Sequence, residues 1–195
     1  KIIFQLNYLA HSILSFTNGQ LVGNMIADFI KNKERENFPL EIQEGIKLHR
    51  AIDTFTDSHP AVSEAKKIFS PLVRLYSGAF VDVSFDYFTA HLYSEEDLKL
   101  HSTKVYKILW ENEKWLPENY KKMLVRMEQD DWLTNYRENQ GIQFSMQNVL
   151  NTATYLEKNI PVFEVFLNHK EQLQFYFDAF YPDLLSECEL IFKPK

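Results

Sequence analysis

Apolar residues recur at helical spacing along most of the chain, and this periodicity limits the fold more than any other feature. Leu6, Leu9 and Ile13, for example, lie at i, i+3 and i+7, the pattern of one helix face. Strand-like alternation is missing, and five Gly and seven Pro are too few for a turn-rich sandwich or barrel. The sequence therefore predicts an all-α protein, a single-domain helical bundle over residues 1–195.

Helix breakers and turn residues divide this pattern. We expect Asn18-Gly19 to end the first helix, Ser58-His59-Pro60 to separate the third from the fourth, and Pro182 to interrupt the last. Pro71 is expected to bend the fourth helix, and Pro117 fits the first turn of the seventh. The predicted helices cover about 6–18, 20–32, 40–57, 61–76, 79–93, 94–113, 117–141, 142–158 and 161–192.

Charge and cysteine content exclude several classes of protein. A formal net charge of −6 provides no coat of clustered Lys and Arg, so a nucleic-acid partner is not expected. The single cysteine, Cys188, excludes an internal disulfide and a CxxC zinc site. No apolar run reaches membrane-spanning length, and residues 1–6 lack the features of a secretory signal. We therefore expect no membrane partner and a soluble, cytoplasmic protein.

Acids and imidazoles occur in four segments of otherwise apolar helices. His49, Asp53 and Asp57 lie at i, i+4 and i+8, so they share one helix face with a drift of about 40° per step. An unpaired buried carboxylate costs several kcal/mol, and several together are best explained by a shared cation. Carboxylates with one or two imidazoles suit manganese, magnesium or iron. The segments are 7–11, 23–29, 49–57 and 82–88.

Structural roles remain open for each of these residues taken singly. Asp53 or Asp57 could pair with Arg50 or a lysine, and Asp82 could lie on a solvated stripe. His11 alone is better explained as a hydrogen-bonded core histidine. The conjunction of the four segments nevertheless favours a metal site.

The remaining histidines and the common nucleotide motifs add little. His59 precedes Pro60 and suits a helix cap, His91 lies about 140° from Asp86, and His101 and His169 are expected at the surface. The sequence has no G-x-x-x-x-G-K-[ST], G-x-G-x-x-G or G-x-S-x-G motif. A P-loop NTPase, a dinucleotide enzyme and an α/β-hydrolase are therefore not expected.

The same segments resemble the acyl carrier protein (ACP) phosphodiesterase family. The resemblance is carried by Asn7-Tyr8-Leu9-Ala10-His11, Gly23-Asn24-x-x-Ala27-Asp28-Phe29, the stretch Gly45 to Asp57, Asp82-x-x-x-Asp86-x-Phe88 and Asp131-Trp132-Leu133-x-x-Tyr136. These motifs cover a core of about residues 6–140, followed by aromatic helices over about 142–192. The stretch from His49 to Asp57 is the most specific part.

This resemblance implies an HD-like fold and a divergent HD-type metallophosphohydrolase assisted by Mn²⁺, with Mg²⁺ or Fe²⁺ as alternatives. The implied reaction cleaves holo-ACP into apo-ACP and 4′-phosphopantetheine, within prosthetic-group turnover around fatty acid biosynthesis. Two departures matter. The chain has no adjacent His-Asp pair, and Tyr87 follows Asp86 where the family favours His. If that His has a role, it is vacant here or taken by another residue such as His91.

A working mechanism assigns each candidate a role. A cation would activate water for attack on phosphorus, with His49 and Asp53 as catalytic residues and Arg50 clamping the phosphate. The predicted metal ligands are His11, Asp28, His49, Asp53 and Asp86, and the supporting or alternative ligands are Asn24, Asp57 and Asp82.

The partner, holo-ACP, is acidic like this chain, so a local basic patch is expected to dock it. The first candidate patch is Lys66, Lys67 and Arg74, and the second is Lys121, Lys122 and Arg126. Aromatic residues could also line a slot for the pantetheine arm, although most must belong to the core. Two other functions remain open: an HD-like phosphohydrolase of a nucleotide or small phosphodiester, and a helical protein that binds ACP or metal without turnover.

Overall fold

The computed structural model describes residues 7–194, and these residues form helices and connecting turns without any strand. The α-helices are α1 (Tyr8–Ile13), α2 (Asn18–Ile26), α3 (Leu40–Ser58), α4 (Pro60–Val73), α5 (Ser77–His91), α6 (Glu95–Glu111), α7 (Glu118–Gln129), α8 (Trp132–Asn135), α9 (Asn139–Thr152), α10 (Val162–Asn168) and α11 (Lys170–Phe192). Short 3₁₀ segments cover Ala27–Phe29, Asn32–Asn37, Arg74–Tyr76 and Glu113–Trp115. The all-α prediction is confirmed.

The boundary between the first two helices differs from the prediction. Asn18 begins α2 rather than ending α1, because Thr17 caps α2 by accepting a 3.1 Å hydrogen bond from the Gln20 amide. The Gln20 side chain reciprocates by accepting from the Phe16 amide at 3.0 Å. Leu6, with which the predicted first helix starts, lies outside the described residues.

The predicted seventh and eighth helices are also wrong in extent. Helix α7 ends at Gln129 because Asp131 adopts a left-handed conformation with φ 43°, which no continuing α-helix accommodates. Gly141 lies inside α9 rather than between two helices, and α9 ends at Thr152 where Ala153 becomes extended. The chain therefore turns twice within the stretch predicted as one helix.

Proline does not interrupt the last helix. Pro182 lies inside the continuous α11, and Pro71 lies inside α4. A helical proline loses one backbone hydrogen bond, but Phe177, Tyr181 and Leu184 on either side of Pro182 are buried in the core. Tertiary packing of α11 against α3, α4 and α5 thus overrides the local cost.

Helices α2 and α3 cross at close distance, and this crossing positions Asn24 and His49. A Cβ atom at Gly23 would overlap the carbonyl oxygen of Ile42, and one at Gly45 would overlap that of Gln20. The two backbones therefore touch at a point where only glycine fits. This contact brings the residues that follow Gly23 beside those one turn beyond Gly45.

One hydrophobic cluster runs from Tyr8 in α1 to Cys188 in α11, and it joins helices from both ends of the described chain. The helices of residues 7–194 include none that is long and apolar enough to cross a membrane.

Candidate metal centre

Two histidines from different helices meet face to face in the interior. His11 of α1 and His49 of α3 are 2% and 7% exposed, and their rings stack with centroids 4.2 Å apart at an interplanar angle of 18°. The Nε2 atoms of both rings are buried and lack a well-formed hydrogen bond within residues 7–194. Buried polar atoms are rarely left in this state, so the pair is a candidate ligand site.

Asn24 holds both rings in one tautomer. Its side-chain Oδ1 lies 2.6 Å from Nδ1 of His11, and its backbone oxygen lies 2.9 Å from Nδ1 of His49. The Asn24 amide nitrogen donates to the His11 carbonyl and to Ser15, which assigns the amide orientation. Because both Nδ1 atoms face acceptors, both must carry hydrogen, and Nε2 is in each ring the nitrogen that is directed into the site.

Two carboxylates face these Nε2 atoms. The Asp53 oxygens lie 3.5 Å from Nε2 of His11 and 3.3 Å from Nε2 of His49, and an Asp28 oxygen lies 3.4 Å from the latter. Ligand atoms of His11, His49 and Asp53 all lie within 4.8 Å of one another. The Asp53 side chain is 46% exposed, so the centre is open to solvent on its carboxylate side.

The charges in this cluster compensate one another. Burial lowers the pKa of His11, and the neighbouring His49 lowers it further. Burial alone would also lower the pKa of His49, but the carboxylates of Asp28 and Asp53 outweigh it and raise that pKa to about 9. The pKa of Asp53 is depressed, since the imidazoles outweigh the effect of its burial. Two anionic side chains thus favour positive charge at the point where the ring nitrogens converge.

The donor set fits a divalent cation. Two imidazole nitrogens and two carboxylates form a hard-to-borderline set that suits Mn²⁺, Fe²⁺ or Mg²⁺, and outer-sphere support from Asn24 is the arrangement typical of metal-bound histidines. The two Nε2 atoms are the specific observation that supports this fit. His11, Asp28, His49 and Asp53 are therefore the residues that could hold the cation.

The structure does not bring Asp86 into this cluster, although the sequence suggested it as a ligand. Both of its oxygens accept backbone amides at the start of α1, from Leu9 at 3.2 Å and from Ala10 at 3.0 Å. Asn7, which precedes α1, provides no side-chain cap. Asp86 thus satisfies the orphan amides of this helix end from a distance in sequence, and burial raises its pKa well above the usual range.

The other predicted supporting residues lie at different distances from the centre. Asp57 is exposed and forms a 2.7 Å ion pair with Lys66, so it faces outward. Asp82 is partly buried, and burial followed by the charge of Asp53 raises its pKa to about 7. Arg50 is partly exposed beside His49 and, within the described chain, forms no ion pair.

Tyr87 and His91 lie outside the centre. Tyr87 packs edge to face on Phe166, and the Lys170 amine donates to its hydroxyl while lying 4.1 Å from its ring centroid. His91 is exposed and its Nδ1 lies 2.8 Å from the Tyr87 backbone oxygen. Neither residue belongs to the His–Asp cluster, so the departure at Tyr87 leaves the described centre intact.

The remaining histidines test the sequence interpretation. His59 caps α4, as expected, by accepting a 3.2 Å hydrogen bond from the Ala61 amide. His169 is exposed as expected. His101 was expected at the surface, but it is half-buried with Nε2 2.9 Å from the Ser12 hydroxyl, because α6 packs close to α1.

The predicted basic patches are partly neutralised. Lys66 pairs with Asp57, Lys67 pairs with Glu64 at 2.5 Å, and Lys121 pairs with Glu118. Arg74 is exposed and without an ion pair among the described residues, on a turn where its own φ is 51°. Free positive charge therefore remains at Arg74 in the first patch.

Sequence reasoning missed the crossing that assembles the centre. Gly23 directly precedes Asn24, and Gly45 lies one turn before His49, so the contact of α2 and α3 brings the Asn24 carbonyl to the His49 ring. A glycine four residues before a candidate ligand, inside a helix, was the signal that could have found this contact.

The fold and the centre together define a class: an all-α protein with a histidine–carboxylate site suited to a divalent cation. Comparison with known proteins makes this more specific. A family model described as acyl carrier protein phosphodiesterase matches residues 6–184, so the chain belongs to that family.

Curated relatives agree with this assignment over nearly their whole length. The chain is similar to an acyl carrier protein phosphodiesterase of Yersinia pestis, with 28% identity over 192 residues, 94% of this chain and 98% of that protein. A protein of the same name from Klebsiella pneumoniae is 27% identical over 193 residues, with 94% and 98% covered. One from Escherichia coli is 27% identical over 192 residues, with 94% and 97% covered. No solved structure matches the chain, and the HD-like fold stays a prediction.

Proposed function

We propose that this protein is a metal-dependent phosphodiesterase that hydrolyses holo-ACP to apo-ACP and 4′-phosphopantetheine. Family membership over residues 6–184 and the names of the relatives support the reaction. The stacked pair of His11 and His49 with converging Nε2 atoms is the observation that supports the metal dependence.

The residues that would hold the cation are His11, Asp28, His49 and Asp53, and Mn²⁺ is the preferred ion, with Mg²⁺ and Fe²⁺ as alternatives. When bound, a divalent cation of this kind lowers the pKa of water and neutralises charge on phosphoryl oxygens. The chain contributes the orientation: Asn24 keeps both rings in the tautomer that directs Nε2 inward. Asp86 is left out of this ligand set because its hydrogen-bond partners among residues 7–194 are the backbone amides of Leu9 and Ala10 and neither imidazole.

Arg50 and Asp82 have supporting roles in this proposal. Hydrolysis breaks the bond between phosphorus and the serine oxygen of ACP; the water oxygen is added to phosphorus and the serine oxygen takes a proton. Arg50 lies beside His49, and its guanidinium forms no ion pair among residues 7–194, which suits a bidentate contact to the phosphodiester. Asp82 is close enough to Asp53 for their charges to interact, so it is the nearest reserve carboxylate.

Docking of ACP is assigned to the surface of α4 and the turn after it, which carries Lys66, Lys67 and Arg74. The carboxylates that pair with Lys66 and Lys67 are exposed, so these ion pairs contribute little stability in water. Carboxylates of an acidic partner can therefore take their place. Arg74 forms no ion pair in the described part of the chain, and its neighbour Leu75 is fully exposed. Hydrolysis that is insensitive to ionic strength would contradict this electrostatic docking.

Mass spectrometry of holo-ACP tests the proposed reaction directly. Incubation with the metal-loaded protein is expected to remove the mass of the phosphopantetheine group, and His49→Ala is expected to abolish that loss. His91→Ala is the matched control, because this imidazole is exposed and outside the centre. Unchanged holo-ACP after incubation with the loaded protein would reject the proposal. Equal activity of both variants would reject the assigned site.

A further inference from the structure

The proposed function gives no role to a cleft of about 690 Å³. It lies between helices α1, α7, α8 and α9 and the 3₁₀ segment Ala27–Phe29. This volume is in the range of small-molecule binding sites. Aromatic side chains form much of its wall, namely Tyr8, Phe29, Trp132, Tyr136 and Phe144. Phe144 is 52% exposed, so part of this aromatic wall remains open to solvent.

The cleft begins next to the metal centre. Tyr8 in its wall lies three residues before His11 on α1, and side chains at this spacing are neighbours on a helix surface. Phe29 in its wall directly follows Asp28, whose carboxylate lies 3.4 Å from the His49 ring. Two separate elements therefore each carry one residue of the centre and one residue of the cleft, and the charge of Asp28 reaches the Tyr8 hydroxyl.

Polar groups line the other side of the cleft. Ser145, Asn148 and Thr152 lie at i, i+3 and i+7 of α9, on one helix face, and all three reach the cleft. Hydroxyl and amide side chains between aromatic rings suit an elongated ligand that alternates amide groups with short methylene runs. Such a ligand offers carbonyls and N–H groups to the polar face and apolar carbons to the rings.

Two cations on α7 complete the wall. Lys122 and Arg126 are exposed, line the cleft at i and i+4, and form no ion pair with any carboxylate in the described chain. Asp130, one turn further, is the acid in the same wall. The two unpaired cations attract an anionic substrate towards this cleft.

We propose that this cleft binds the pantetheine arm of the substrate while its phosphodiester lies at the His–Asp centre. The arm is a chain of two amides and short methylene runs, tethered to a phosphate, and the cleft offers aromatic walls, a polar helix face and local positive charge beside that centre. This assignment rests on the proposed function. It places the arm on the side of α1, α7 and α9, and the carrier protein on the side of Arg74.

Binding can be tested without catalysis. The chain has three tryptophans, and only Trp132 of these lines the cleft, so labelling with 5-fluorotryptophan and ¹⁹F NMR provides a local probe, assigned with Trp132→Phe. Free pantetheine is expected to shift the Trp132 resonance and leave those of Trp110 and Trp115 unchanged. A Trp132 resonance that pantetheine does not move would overturn the cleft assignment, whatever the activity.

A pair of variants on α9 tests the same assignment in the reaction. Asn148→Phe places a ring in the cleft, whereas Gln143→Phe adds the same ring to an exposed position of the same helix outside it. We expect the KM for holo-ACP to rise about tenfold for Asn148→Phe and to stay within about twofold for Gln143→Phe. Equal KM values for the two variants would overturn the assignment.

The two proposals fail in distinguishable ways. A pantetheine-induced shift at Trp132 in a protein that leaves holo-ACP intact would overturn the proposed hydrolysis and keep the cleft as an arm-binding site. Hydrolysis of holo-ACP with an unresponsive Trp132 and unaffected Asn148→Phe would keep the proposed function and reject the cleft.

Discussion

The two ends of α1 show two different solutions to burying polar groups. At its start, each oxygen of Asp86 accepts a backbone amide, from Leu9 or Ala10. At its other end, His11 stacks on His49 with both Nε2 atoms short of a well-formed hydrogen bond in the described protein. The polar atoms of the first region form hydrogen bonds, whereas in the second region the two Nε2 atoms face only carboxylate oxygens at 3.3–3.5 Å.

This difference separates a structural acid from a candidate functional site. Buried polar atoms are almost always hydrogen-bonded, so two imidazole nitrogens side by side that face carboxylates only at 3.3–3.5 Å form an arrangement typical of a ligand site. Departures of this kind are expected where a site is built for a ligand. The comparison teaches that burial of an acid is a poor guide to function, whereas unmet hydrogen-bonding capacity around it is a good one.

The strongest way to break the comparison is to remove the acid of the second region. Asp53→Ala deletes the two oxygens that face both Nε2 atoms, and we expect affinity for Mn²⁺ to fall more than about 100-fold, beyond the loss typical of outer partners. Isothermal titration calorimetry measures this directly.

Asp57→Ala is the matched control, since it removes the same group one turn further along α3. Asp57 is exposed and pairs with Lys66, and exposed ion pairs contribute little. We expect the affinity of the Asp57→Ala variant for Mn²⁺ to stay within about twofold of that of the parent protein. Equal losses in the two variants would mean that net charge, rather than the geometry of the centre, attracts the cation.

A smaller effect is expected at the residue that orients the rings. Asn24→Ala removes the acceptor of His11 Nδ1, and we expect a 10- to 100-fold loss of metal affinity, as for other outer partners of metal-bound histidine. Nitrogen-15 NMR should show the Nδ1–H tautomer of His11 in the parent and mixed tautomers of that ring in the variant. A variant that is merely less stable, with the parent tautomers, would contradict the orienting role.

Proton competition gives a further test of the second region. Because Asp28 and Asp53 overcome burial and raise the pKa of His49 to about 9, a cation must expel a proton to bind below that pH. Apparent affinity should rise about tenfold per pH unit towards pH 9 and then level off.

The metal-free protein should show the opposite trend in stability. The raised pKa means that the folded state binds the His49 proton more tightly than the unfolded state does. This proton therefore stabilises the folded protein fully below pH 6.5, the pKa of the unfolded histidine, and the stabilisation is lost as the pH rises through about 9. Metal affinity independent of pH below 9 would show that His49 carries no such proton.

The sequence predicted those parts of the site that depend on local spacing. His49 and Asp53 share a helix face because they are four residues apart, and the structure brings them together. Asp57 follows the same rule but is exposed, because it lies in the last turn of α3. Periodicity predicts which residues share a helix face. Which residues of that face are buried depends on tertiary packing.

Other features could not be read from local pattern. Asp86 accepts a hydrogen bond from the Ala10 amide of α1, 76 residues away in sequence, and no spacing rule connects an acid with a distant helix end. Pro182 is tolerated because packing around α11 outweighs a lost backbone bond. The start of α2 was readable, by contrast, since Thr17 followed by Gln20 is a helix-capping pattern.

The smallest change in metal affinity, with a clear change in stability, is expected at the first region. Asp86→Ala leaves the amides of Leu9 and Ala10 without acceptors, and we expect the free energy of unfolding to fall by about 1–3 kcal/mol, measured by urea denaturation. Metal affinity should fall far less than in Asp53→Ala, because the hydrogen bonds of Asp86 go to backbone amides rather than to either imidazole. A loss of metal affinity as large as that of Asp53→Ala would instead restore Asp86 to the ligand set that the sequence suggested, and it would end the contrast between the two ends of α1.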